Sequence, residues 1–199
     1  MILALDTSGP FVCVVVADEA GSVAVGATGR RPRAHAEEIA PLVSAATAGR
    51  GIDRVVVGRG PGSFTGLRVG LAFAQVWGWA RALPVTGVCS LDAVAAQDGL
   101  VDGWVVTDAR RGELFAARYN DGLRIGDPVV APRAEIADTV AGERVVGDTH
   151  LLGDPDRRAV GTTVIDPAGL AVAAARQDPD PSLQPDYLRR PDVTVRADA

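Results

Sequence analysis

Apolar and polar positions switch between two periods along this chain, and the switches outline its elements. Runs at 2–5, 11–17 and about 22–28 are rich in β-branched residues and are separated by "DTSGP" and "DEAGS", which predicts a three-stranded antiparallel meander. In 34–48, Ile39, Leu42, Val43 and Ala46 recur at helical spacing, with Gly49 at the C-cap position. A strand at 54–58, a helix at 64–82, a strand near 84–88 and a short helix near 91–97 complete a βββαβαβα order over residues 1–100. The segment "WVVTDARRGELFAARY" at 104–119 repeats the strand, Asp, turn, strand pattern of "ILALDTSGPFVCVVV", with Asp108 in the place of Asp6, a sign of internal duplication. Beyond it the pattern predicts a helix at 133–141, strands at 144–147 and 163–165 and a helix at 167–177, before "DPDPSLQPD" breaks regular structure. Residues 101–190 therefore read as a second, abbreviated lobe, and 191–199 as a flexible tail.

Composition narrows the chemistry. The 199 residues are 47% hydrophobic, 23% charged and 5% aromatic, ordinary values for a globular α/β protein. Net charge is −5 and the pI near 5.0, which argues against gripping nucleic acid by bulk electrostatics. All 20 basic residues are arginines, so Schiff-base chemistry and a lysine-dependent phosphate loop are excluded. Cys13 and Cys89 stand 76 residues apart outside any CxxC context and read as two buried thiols. "MILALDTS" carries no basic leader and meets Asp6 early, so it reads as a strand of the folded protein and a cytoplasmic location is expected. The most apolar stretch, "VGLAFAQVWGWA" at 69–80, is bounded by Arg68 and Arg81 and falls short of the roughly 20 residues a membrane span needs.

The glycine-rich "GRGPGSFTGLRVG" at 58–70 fits no phosphate-binding template: GxGxxG fails on its offsets, and a P-loop needs a lysine. It reads instead as a tight turn around Pro61, with Ser63 capping the helix that follows. Within that helix Gly66, Gly70, Ala74 and Gly78 recur every four residues and leave one face nearly free of side chains. Each interior glycine costs about 1 kcal/mol relative to alanine, so something must pack closely there. Spacing alone does not separate the chain's own sheet from an intermolecular helix pair.

Candidate chemistry is sparse. His35 and His150 are the only histidines, and neither has a metal-binding spacing. Ser63 lies outside a GxSxG elbow. Asp6, Thr7 and Ser8 form a strand-ending turn that suits either magnesium and phosphate or local backbone groups. His35, Glu37 and Glu38 suit a solvated first helical turn or a partner contact.

Five ordered blocks, "ILALDTS", "HAEEIAPLV", "GRGPGSFTGLRVG", "DARRGELFAARY" and "PDYLRRPDV", make the chain resemble the TsaB (YeaZ) family over nearly its whole length. The resemblance implies an actin/Hsp70/sugar-kinase-like two-lobed α/β fold with a reduced second lobe. It also implies the non-catalytic, dimerising subunit of the bacterial tRNA threonylcarbamoyladenosine machinery. The expected partners are a TsaD-like transferase, a TsaE-like ATPase and, for the chain alone, a second copy of itself, with tRNA met only through the complex. ATP and a metal ion would belong to those partners, with no cofactor, metal or catalytic residue on this chain. The sister transferase carries a metal-binding HxxxH after the strand that follows the glycine-rich helix; Ser90 and Val94 stand at those places here. Helices 34–48 and 64–82 would form the association bundle, with His35, Glu38, Ile39, Leu42, Gly66, Gly70, Ala74 and Gly78 at the interface and Asp6, Thr7 and Ser8 as a vestigial nucleotide turn. Two other readings stay open: a small-molecule kinase, with Asp6 and Asp108 facing a magnesium-bound phosphate across the cleft, and a metallopeptidase.

Overall fold

The computed structural model describes residues 1–153, 163–176 and 183–188. The tail at 191–199, and Arg189 and Arg190 of the last motif, lie outside the described residues.

Two sheets carry the fold. The first is built from β1 (Ile2–Asp6), β2 (Cys13–Ala17), β3 (Val23–Thr28), β4 (Arg54–Gly58) and β5 (Val85–Val88), in the order β3-β2-β1-β4-β5. The meander β1–β2–β3 is antiparallel, and β1–β4–β5 is parallel. Every residue of β1 and β2 is buried, as expected for central strands covered on both faces.

The second sheet comprises β6 (Gly103–Arg110), β7 (Glu113–Asn120), β8 (Leu123–Pro132) and β9 (Val145–Gly147), in the order β8-β7-β6-β9. Its first three strands are antiparallel in sequence order and β6–β9 is parallel, which repeats β3-β2-β1-β4 of the first sheet. The duplication reaches side chains. The Ser8 N–H donates to Asp6 Oδ1 at 2.7 Å, and the Arg110 N–H donates to Asp108 Oδ1 at 2.9 Å, so in each repeat an Asp at or near the end of the first strand accepts the N–H two residues on.

Helices α1 (His35–Thr47) and α2 (Phe64–Trp79) cover one face of the first sheet. Leu3, Leu5, Val14, Val16, Val55 and Val57 from the sheet meet Ile39, Val43, Leu67 and Leu71 from the helices in one core. Among the described residues, the second sheet has the short α4 (Arg133–Thr139) and a 3-10 turn at Thr149–Leu152 on its outer face. Between the sheets lie α3 (Ser90–Gln97) and α5 (Pro167–Arg176). The helices do not divide with the strands: α3 follows β5 yet packs on β6 and β9, while α5, from the far end of the chain, packs on β1, β2 and β3.

Three expectations need correction. Residues 123–132 form β8, where no strand was expected; Gly126, Asp127 and Pro128 weaken its signal, and Pro128 is tolerated because β8 is an edge. No strand forms at 163–165. Helix α2 ends at Trp79 and not at 82, because Ala82 turns to φ 53°.

Candidate functional site

Strand β1 ends at Asp6, whose carboxylate is enclosed beneath the glycine-rich turn. Oδ1 accepts hydrogen bonds from the Ser8 N–H and hydroxyl, at 2.7 and 2.6 Å, and Oδ2 accepts one from the Ser90 hydroxyl at 2.6 Å. The Ser90 hydroxyl in turn accepts from the Gly60 N–H at 3.1 Å. Burial pushes the Asp6 pKa up, and the bonds from Ser8 and Ser90 pull it part of the way back. Gly58 makes this possible, since a Cβ there would lie 1.7 Å from Asp6 Oδ2. Thr7 is turned the other way, its hydroxyl donating to the Gly66 carbonyl at 2.8 Å. Of the three turn residues only Ser8 lines the cleft between the lobes.

Asp108 is engaged as well. Its carboxylate lies 3.3 Å from the Arg110 guanidinium and 3.8 Å from that of Arg133. Its own N–H donates to Asp148 at 2.8 Å. Both carboxylates that the kinase reading needs for magnesium therefore already have close donors from this chain. Of the two positions that the resemblance sets against the sister transferase's histidines, Ser90 is bound to Asp6 and Gly60, and Val94 is an apolar wall residue of the cleft. Among the described residues no group of three or more His, Cys, Asp or Glu is placed to hold a metal ion.

The glycine stripe of α2 faces inward, which corrects the expectation that it serves association. A Cβ at Gly66 would lie 2.2 Å from the Thr7 carbonyl, one at Gly70 2.2 Å from the Thr7 hydroxyl, and one at Gly78 2.3 Å from Val85; Ala74 is fully buried. The stripe lets α2 lie directly on the end of β1 and on β5. Ser63 caps the helix as its sequence suggests, accepting from the Gly66 N–H at 3.1 Å. The other four expected interface residues are also committed to this chain. Ile39 is buried in the core and Leu42 packs against it. His35 is buried with Nε2 3.0 Å from the Gly9 carbonyl. Glu38 accepts from the Arg30 and Arg31 N–H groups at 3.1 and 3.2 Å.

The free apolar surface lies on the opposite side of the same helices. Trp79 is 84% exposed and Val76 65%, and the exposed Ala72 and Ala80 flank them. Alongside, α1 exposes Ala40, Pro41 and Ala45. This face was readable: α2 is apolar nearly all round, with a mean pattern suited to burial on both sides, and only Gln75 breaks its far end. Among the described residues no helix is long and apolar enough to cross a membrane.

A cleft of about 300 Å³ opens between the lobes, walled by Phe64, Leu91 and Val94 of the first and Phe115 and Ile165 of the second. The segment 183–188 closes one side of it. Asp186 N–H donates to the Arg59 carbonyl at 2.8 Å, and the Tyr187 ring lies 4.8 Å from that of Phe64, with the Arg68 guanidinium 3.7 Å above Phe64 on the same helix.

Comparison with known proteins agrees with this architecture. The family model described as TsaD, tRNA N6-adenosine threonylcarbamoyltransferase, matches residues 30–176. An uncharacterized protein of Mycobacterium tuberculosis is 42% identical over an alignment of 204 residues, covering 96% of this chain and 93% of that protein. The tRNA threonylcarbamoyladenosine biosynthesis protein TsaB of Escherichia coli is 36% identical over 97 residues, 44% of this chain and 42% of that protein. The solved structure of YeaZ from Pseudomonas aeruginosa superposes with a TM-score of 0.68 at 25% identity, over 87% of this chain and 90% of that one. The fold is the two-lobed actin/Hsp70/sugar-kinase type. With the paired Asp turns, the reduced second lobe and these likenesses together, the chain belongs to the TsaB (YeaZ) family.

Proposed function

We propose that this chain works in tRNA threonylcarbamoyladenosine biosynthesis as a scaffold, pairing through the outer face of α1 and α2 with a TsaD-like transferase that performs the chemistry. The observation that carries the proposal is the exposed apolar face around Trp79 and Val76. A tryptophan left in water at the centre of such a face is the residue type that most often dominates a protein interface. A catalytic role for the partner is supported by Ser90 and Val94, which offer no imidazole at the places the resemblance sets against the transferase's metal-binding histidines. The partner also supplies ATP and metal binding for the transfer, and the pair offers the docking surface for a TsaE-like ATPase. With a net charge of −5, this chain meets tRNA through the complex and not by its own field. In the absence of the transferase, a second copy of the chain would cover the same face.

The test is reconstitution of tRNA threonylcarbamoylation from the purified synthase, transferase, ATPase and this chain, each left out in turn, with modified nucleoside read by mass spectrometry. Modification should require this chain, and Trp79→Glu with Val76→Asp should abolish both modification and co-elution with the transferase while the chain stays folded. Full modification without the chain would overturn the role. Unchanged co-elution of the folded double variant would overturn the face.

A further inference from the structure

Arg68 stands on the outer side of α2 in the row Arg68, Ala72 and Val76, whose members follow one another at i, i+4 and are all exposed. Trp79 stands beside the end of this row. Arg68 is the one basic residue in the sequences of α1 and α2, so it sets a single cation beside the apolar strip. Its side chain does not trail in solvent. The guanidinium carbon lies 3.7 Å from the centre of the Phe64 ring, and Nε donates to the Tyr187 hydroxyl at 3.2 Å. The Tyr187 ring leans on Phe64, with centroids 4.8 Å apart and an interplanar angle of 37°. Tyr187 comes from the far end of the chain and is held by its own segment. The Asp186 N–H donates to the Arg59 carbonyl at 2.8 Å, and the Arg59 guanidinium donates to the Gln184 carbonyl at 3.3 Å and lies 3.5 Å from the Asp186 carboxylate.

The Arg68 cation is thus fixed by contacts that use its face and its Nε edge. Its terminal nitrogens bond no group among the described residues. A guanidinium whose plane is already set presents those nitrogens as a paired donor, the geometry that matches a carboxylate. Holding it in place beforehand lowers the ordering cost that an arginine otherwise meets on binding. Arg, Trp and Tyr are the residues that most often anchor interfaces, and Arg68, Trp79 and the 39% exposed Tyr187 are gathered along this one helix. The same paired donor suits a phosphate of RNA, but neither helix offers a second cation to follow a phosphate backbone. A second copy of the chain offers Glu37 as the one exposed carboxylate of its two helices.

We infer that Arg68, clamped by Phe64 and Tyr187, is a preformed anchor for a carboxylate of the transferase, which seats an Asp or Glu side chain on it when the apolar strip is covered. The inference rests on the pairing face proposed above. It extends that face from Val76 and Trp79 to the segment 184–188, so that Tyr187, 119 positions from Arg68, takes part in recognition.

Calorimetric titration of the full chain with the purified transferase, at low and at high NaCl, tests this. Arg68→Gln should weaken pairing about tenfold or more and flatten its dependence on salt, because the charge pair is gone. Arg68→Lys should restore little, since an ammonium cannot present the paired donor. Tyr187→Phe keeps the stacked ring, removes the acceptor and should weaken pairing about two- to tenfold. Hydroxyl-radical footprinting of the unaltered chain should show Tyr187 protected once the transferase is added, a readout that needs no variant. Pairing of Arg68→Gln within about twofold of the unaltered chain, full recovery in Arg68→Lys, or Tyr187 unprotected in the complex would overturn the anchor. So would an Arg68→Gln chain that pairs normally yet binds tRNA or a second copy more weakly, which would give Arg68 to those partners. Failure of the anchor is separable from failure of the face: in the first case Trp79→Glu with Val76→Asp still abolishes pairing, and in the second it does not.

Discussion

The Ser90 hydroxyl donates a hydrogen bond of 2.6 Å to the buried carboxylate of Asp6, across 84 residues of sequence. One serine at the start of α3 thus fixes the end of β1, and through the Gly60 N–H it also fixes the glycine-rich turn. Ser90→Ala should cost about 1.5–3 kcal/mol in urea denaturation at pH 7, the range for a hydrogen bond to a charged group. Burial raises the Asp6 pKa, so its contribution to stability is present below the ordinary carboxylate value and is lost as pH rises through the raised one. Losing Ser90 raises that pKa further, and the gap between the two proteins should narrow as pH falls from 7 toward 4. A gap that stays constant with pH would mean Asp6 does not titrate in that window.

Gly70→Ala separates packing from helix propensity. Alanine favours a helix interior by about 1 kcal/mol, yet its Cβ would stand 2.2 Å from the Thr7 hydroxyl. A net loss of about 2 kcal/mol or more is expected by thermal or urea unfolding, within the range for overpacking. Val76→Asp on the outer face should change monomer stability by no more than about 0.5 kcal/mol. Equal effects at the two positions would place the stripe outside the core.

Arg124 reaches from β8 to Asp92 on α3, Nε to Oδ1 at 3.0 Å, and the Tyr119 hydroxyl donates to the same oxygen at 2.7 Å. Asp92 is buried, and burial already raises its pKa against the pull of Arg124 and Tyr119. Arg124→Met removes one of the cations acting on that carboxylate, with Arg59 still acting on it, and should cost about 1.5–3 kcal/mol near pH 7, the range for a hydrogen bond to a charged group. The loss should shrink in mildly acid solution, where Asp92 takes up a proton. Urea melts at pH 7 and pH 5 check it, and a loss that grows on acidification would contradict this account.

Cys13 and Cys89 are both buried, and burial pushes both thiol pKa values up, aided by Asp6 at Cys13 and by Asp92 at Cys89. The native protein should therefore show no rapid reaction with a thiol reagent such as DTNB at pH 8, and two equivalents after denaturation. Rapid native labelling of either thiol would show an opening near β2 or α3.

Much of the first lobe is legible in the sequence because its signals are local. The β-branched runs of β1, β2 and β4, the cap at Ser63 and the spacing of Ile39, Val43 and Ala46 each point to the element found. The repeat of Asp6 by Asp108 is legible for the same reason, since the Asp turn is set by residues two apart. What spacing could not give is which neighbour a face meets. The stripe of Gly66, Gly70 and Gly78 is visible as a pattern, but that Thr7 and Val85 press on it is a long-range fact. Strand β8 is hidden because its edge position removes the usual penalties on Gly126 and Pro128, so its composition reads as loop. The cleft is hidden too, because its walls come from segments far apart in sequence, Phe64 and Phe115 among them, and no local pattern records that they face one cavity.

The crossed placement of α3 and α5 makes the two lobes hostages to each other. A chain cut after residue 100 would carry α3 with the sheet it belongs to missing, and the bare face of β1, β2 and β3 would lose the helix that shelters it. The remaining piece would hold α5 with nothing to shelter. Neither half is then an inheritable module that can be shuffled, shed or expressed by itself, and shrinkage of the second lobe can remove only what lies outside that shared middle layer. The outer helices of the second sheet fit this rule: among the described residues they are a seven-residue helix and a single turn, while the inner pair is intact.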